Sequence, residues 1–112
     1  MSASEPSQPA SHERSLLLVV SVPRAAEERV IDWLLARGDV TTFSSAAVDV
    51  HGVDPADLVG AERVSARRRA TEFRVRIPAS HLGELIAALE SELRGLELEW
   101  FAVPIEAAGR LT

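Results

Sequence analysis

Cysteine, lysine and tyrosine are all missing from this chain of 112 residues. Without cysteine there is no disulfide framework, no thiolate zinc site and no thiol nucleophile. Without lysine there is no Schiff-base chemistry, no lysine base and no phosphate-loop lysine. All 12 basic residues are therefore arginines. Glycine is sparse: the 6 glycines stand singly, so neither G-x-G-x-x-G nor G-x-x-x-x-G-K-[ST] occurs. Aromatic residues make up 4% of the chain, too few to build a platform for stacked bases. The net charge of −5 opposes bulk attraction to nucleic acid or to an anionic membrane. Apolar runs such as Leu16–Val20 are far too short to span a bilayer. Ser44, Ser45 and the nearby His51 do not stand at the spacing of a catalytic triad. The chain therefore reads as a non-enzymatic protein of the cytoplasm.

What is present has the size of one domain. Residues 1–13, MSASEPSQPASHE, are polar and hold two prolines, the composition of a disordered leader without the basic and apolar parts of a signal peptide. Residues 14–112 then form a single domain. Leu16 to Val22 reads as a strand, and Pro23 is suited to the first turn of the helix that follows. Val30, Trp33, Leu34 and Arg37 mark one face of that helix, with Gly38 expected as its left-handed stop. A second strand is expected over Val40–Val50. The second half repeats the plan. Thr71–Ile77 alternates as a strand, Pro78 follows, Ser80 is the expected N-cap, and Leu82, Leu85, Ile86, Leu89 and Leu93 recur at helical spacing. Gly95 ends that helix, and Leu96–Val103 makes the last strand.

Pro23 aligns with Pro78, Leu34 with Leu89, and Arg37-Gly38 with Arg94-Gly95. A repeated β-α-β unit of this kind predicts an α+β, ferredoxin-like βαββαβ fold, with a four-stranded antiparallel sheet and two helices on one face. The first strand carries apolar residues on both faces. Phe101 and Val103 lie opposite to Leu98 and Trp100 on the fourth. Apolar side chains on the open face of adjacent strands predict burial against another copy of the sheet. Trp33 and Trp100 are expected in the core.

The stretch VDVHGVDPADLVGAERVSARRR, residues 48–69, stands out chemically. A strand passes through His51-Gly52 into a hairpin loop at about 51–62, bracketed by Gly52 and Gly60, and emerges in a run of arginines. Residues 61–76 hold six arginines against two acids, while residues 84–106 hold six glutamates against one arginine. Asp49 and His51 share a strand face and, with Glu62, are the candidate metal ligands, suited to zinc, copper or nickel. The other reading of these three is a solvated hairpin tip. Arg67 and Arg69 share a face if they lie in a strand and are the candidate anion ligands, since arginine grips carboxylate or phosphate in a bidentate way. The alternative for them is a pairing surface inside an oligomer. The residues do not identify a cofactor.

The segments LLLVVSVP, EERVIDWLL, FSSAAVDVHG, AERVSARRR-x-x-x-F-R-V and EWFAVPIEAAGRL together resemble the bacterial PII-like group of ferredoxin-fold proteins, related to the PII and CutA types. Within that group the chain is most similar to a branch defined as a domain of unknown function. The resemblance covers nearly everything after residue 14. It implies a homotrimer with inward-facing sheets, in which residues 48–69 take the place of the loop that contacts target proteins. It also implies a signalling or metal-sensing role beside heavy-metal efflux pumps of the RND type, which suggests an efflux-system protein as partner. The chain departs from true PII proteins in lacking the modifiable tyrosine, the lysines and the glycine-rich segment that hold ATP. The same fold also serves dimeric α+β-barrel enzymes and ligand-free structural subunits.

Overall fold

The computed structural model describes residues 13–40, 42–52, 56, 60 and 67–112. The expected leader through residue 12, Glu62 and most of the 51–62 loop lie outside the described residues.

Among the described residues, four strands and two helices follow one another as β1 (Ser15–Pro23), α1 (Glu27–Ala36), β2 (Phe43–His51), β3 (Arg67–Pro78), α2 (Leu82–Glu92) and β4 (Glu99–Ile105). The sheet order is β2-β3-β1-β4 and each neighbouring pair is antiparallel. This is the ferredoxin-like arrangement expected from the repeated halves. Leu16, Leu18, Val20 and Val22 of β1 alternate with Phe73, Val75 and Ile77 of β3 to floor the core. Val30 and Leu34 of α1, and Leu85 and Leu89 of α2, close it from above. Each helix thus buries residues four apart, one stripe of the 3.6-residue period. Glu27 and Glu28 occupy the first turn of α1, where the helix dipole favours negative charge. Glu27 also accepts a 2.7 Å hydrogen bond from the buried hydroxyl of Thr71, tying the start of α1 to β3.

Several local expectations are corrected. Pro23 and Pro78 are the final residues of their strands, with ψ of 143° and 144°, and a single 3₁₀ turn separates each from its helix. The fixed φ of proline suits extended and helical backbone alike, so position alone could not decide between them. Ser80 caps nothing; its hydroxyl donates to Glu13 at 2.8 Å. β2 begins at Phe43 rather than Val40, and β4 runs from Glu99 to Ile105. Trp33 is only partly buried and Trp100 is 46% exposed, because β4 is an edge strand whose outer side no helix covers.

Gly38 is not left-handed; Gly52, Gly60 and Gly95 are. Gly95, at φ 88°, turns the chain from α2 toward β4 in open space. Gly95→Ala is therefore expected to cost about 1–2 kcal/mol from backbone strain alone. Urea unfolding midpoints of the two proteins would measure it, and an unchanged midpoint would show that the turn relaxes freely.

Among the described residues no helix covers the opposite face of the sheet. Leu17 and Val19 of β1 stand beside Val103 and Phe101 of β4 there, in direct register. Phe101 is 56% and Val103 40% exposed. The apolar open face read from the sequence is present.

Candidate functional site

β3 is longer than the strand it pairs with on its inner side. Its register with β1 starts at Ala70, opposite Pro23, so Arg67, Arg68 and Arg69 pair only with β2. Beyond the end of the four-stranded sheet the chain continues as a two-stranded ribbon, with Asp49 opposite Arg69, Val50 opposite Arg68, and His51 opposite Arg67. Thr71, bonded to the first turn of α1, marks where the helix layer starts. Among the described residues no helix lies over the ribbon, which leaves its charges in reach of water.

Strand alternation splits the arginines between the two faces. Arg67 and Arg69 share the helix-side face with Asp49 and His51. Asp49 lies 3.5 Å from an Arg67 guanidinium nitrogen, and both side chains are about 40% exposed. The Arg67 Nε atom is itself buried without a hydrogen-bond partner. So the structure brings together four of the five candidates, but as two arginines interleaved with an acid and a histidine. The Asp49 carboxylate is turned to an arginine. Among the described residues no group of three or more His, Cys, Asp or Glu is arranged to hold a metal ion.

Arg68 points the other way, into a cleft of about 300 Å³ at the end of the sheet. Val22, Pro23, Val50 and Ala70 provide its apolar floor, and Ser21, His51, Glu97 and Glu99 its polar edge. Arg68 is ion-paired with Glu97 across the mouth, and Glu97 is the more exposed partner. Sequence reasoning did not single out Arg68 and Glu97 as a pair. The signal was there, in the opposed charge of residues 61–76 and 84–106, but only the sheet order places those segments on either side of β1, where Arg68 reaches Glu97 past the end of that strand. Part of that complementarity is spent within one chain.

A second charged cluster joins the two helices. The Trp33 indole N–H donates to Glu92 at 2.9 Å, Arg37 lies over the Trp33 ring at 4.8 Å, and Arg37 donates two hydrogen bonds to Asp39 at 2.9 and 3.0 Å. The Arg37 hydrogen bonds hold the Asp39 carboxyl below the usual carboxylate range, and Asp39 raises Arg37. A depressed folded value means stability that is present above the unfolded carboxyl value and lost as pH falls through the folded one. Both groups are partly solvated, so the contribution is at most about 1 kcal/mol. Asp39→Asn should lower stability at pH 7 and leave it unchanged at pH 2, as read by urea titration; an equal loss at both would point to packing instead.

The family model described as Protein of unknown function (DUF3240) matches residues 11–112. This chain belongs to that family. Among solved structures it is similar to a DUF3240 family protein from Shewanella baltica, at 19% identity and a TM-score of 0.70, covering 88% of this chain and 97% of that one. It is similar also to CPII, a nitrogen regulatory PII-like protein from Thiomonas intermedia bound to ADP, AMP and bicarbonate, at 15% identity and a TM-score of 0.63, covering 88% and 97%. A PII-like signalling protein from Thermus thermophilus aligns at 10% identity and a TM-score of 0.59, covering 83% and 88%. No curated protein matches the chain. The PII-like fold of this DUF3240 member is thereby shown. Among the described residues no helix is long and apolar enough to cross a membrane.

Proposed function

We propose that this DUF3240 protein is a non-enzymatic PII-like regulator that binds a small anionic ligand at the base of its β2–β3 hairpin. The observation that carries the reading is the ribbon of Arg67, Arg68 and Arg69 standing beyond the sheet, beside a cleft with an apolar floor. Guanidinium groups on both faces of one short ribbon suit a phosphorylated or carboxylated molecule approached from either side. The nucleotide-bound state of CPII supports an adenine nucleotide as the first ligand class to test. Arg67 and Arg69 hold the anion in this reading. The hairpin between them and His51 contacts a cytoplasmic partner, a heavy-metal efflux system in the setting that the family resemblance implies.

The protein acts as a homotrimer with sheets turned inward. Phe101 and Val103, beside Leu17 and Val19, support that assembly, since a single chain leaves these two side chains exposed to water. Ligand binding switches the hairpin by favouring one of its arrangements, which requires contacts made in that arrangement only.

Calorimetric titration with ADP and with AMP tests the reading. Each arginine bond to a phosphate contributes about 1.5–3 kcal/mol, so the Arg67→Ala/Arg69→Ala double variant should bind at least about tenfold more weakly while remaining trimeric. Equal affinity in both proteins, or no binding to either nucleotide, overturns the anion site. A zinc titration provides the metal arm. If Asp49, His51 and Glu62 form the site, His51→Ala abolishes the zinc response and leaves the trimer intact.

A further inference from the structure

A second apolar surface lies on the helix side of the sheet, away from the hairpin. Because β4 is an edge strand, the gap between it and α2 stays open as a groove of about 350 Å³. Ile86, Leu93, Leu96, Leu98 and Trp100 line it, and its rim carries one charge of each sign, Glu90 and Arg94. The segment after β4, Glu106–Thr112, is exposed along its whole length and has no regular structure. Leu111 within it is 100% exposed. Among the described residues the chain thus offers an open apolar groove and a leucine that none of them buries.

The segment cannot reach the far end of its own groove. It leaves β4 at Ile105, seven strand positions from Leu98, a distance of about 23 Å at the usual strand rise. Six residues to Leu111 reach about 20 Å when fully extended, and that length would first have to reverse direction. The Leu96–Leu98 end of the groove is therefore beyond reach of the chain's own Leu111. A neighbouring copy has no such constraint. Its segment carries Arg110 and Glu106 to meet Glu90 and Arg94, and Ala107-Ala108-Gly109 between them is narrow enough to pass close to another backbone.

We propose that Glu106–Thr112 of one copy docks into the α2–β4 groove of the next, with Leu111 as the apolar anchor and Arg110 paired with Glu90. Such a contact is head-to-tail, each copy giving one segment and receiving one, and it closes in a ring. The inference rests on the trimeric reading above and adds to it a peripheral clasp outside the sheet-to-sheet contact.

The absence of cysteine makes the test clean, because introduced thiols are the only ones present. Full-length Leu111→Cys and Leu96→Cys proteins would be mixed in equal amounts, allowed to exchange, oxidised mildly and digested. A disulfide-linked peptide pair joining positions 96 and 111 of different chains is the expected result, falling at least tenfold when Glu90→Arg is added to the Leu96→Cys protein. Native mass spectrometry of the same mixture separates the two ways of failing. An assembled protein without the 96–111 link overturns the clasp and leaves the trimer standing. A monomer overturns both. A link formed only within one chain, in the Leu96→Cys/Leu111→Cys double variant, also overturns the clasp.

Discussion

Phe73→Ala is expected to destabilise the domain by about 3–5 kcal/mol, the range for emptying a buried aromatic site. Phe73 is fully buried at the centre of β3, and its ring packs at 54° against Phe43 with centroids 6.2 Å apart. Both helices and all four strands contribute side chains to this core, so no single neighbour can move in to fill the space. A domain of this size holds only about 5–15 kcal/mol in total. The variant should then show a marked fall in its urea midpoint, or should fail to fold at 37 °C. Phe73→Leu conserves most of the volume and should cost less than about 1.5 kcal/mol. Circular dichroism of both variants against urea measures the difference. Similar midpoints for Phe73→Ala and the parent would mean that the core collapses around the gap, contrary to the packing described.

Phe101→Asp should separate the assembly without unfolding the subunit. In one chain the Phe101 ring is 56% exposed, so a carboxylate there stays solvated and the thermal midpoint of the monomer should hardly change. In a trimer with inward sheets the same carboxylate would be enclosed beside Val19 and Val103 without a cation directly across from it on β1. Leaving a charge buried and unpaired costs about 3–5 kcal/mol, a weakening of association of more than 100-fold. Sedimentation velocity at micromolar concentration should show the parent as a trimer and the variant as a monomer. A variant that still sediments as a trimer would show that another surface holds the copies together. Phe101→Leu, which keeps the face apolar, should remain assembled.

The fold was largely legible. Matching prolines, matching helix stripes and matching glycines in the two halves lead directly to the βαββαβ order, and alternation along Thr71–Ile77 gives the correct buried face. Element ends were less so. Proline and serine are compatible with several local roles, and Ser80 was drawn away from a cap by Glu13, a partner 67 positions distant. The candidate site was legible as composition and not as geometry. Asp49, His51, Arg67 and Arg69 share one face as the two-residue period requires. Whether the acid and histidine face a metal or an arginine depends on the register of β2 against β3. That register sets Arg67 opposite His51, within 3.5 Å of Asp49.

By itself the sequence determined the fold class, the absence of thiol and lysine chemistry, and the apolar residues on both faces of β1, because these follow from residue identity and local period. Only the tertiary structure decided that β3 outruns β1, that Arg68 meets Glu97, and that an open groove lies beside β4. Each depends on which segments distant in the chain become neighbours, and strand order and register, set by the whole core, are what choose them.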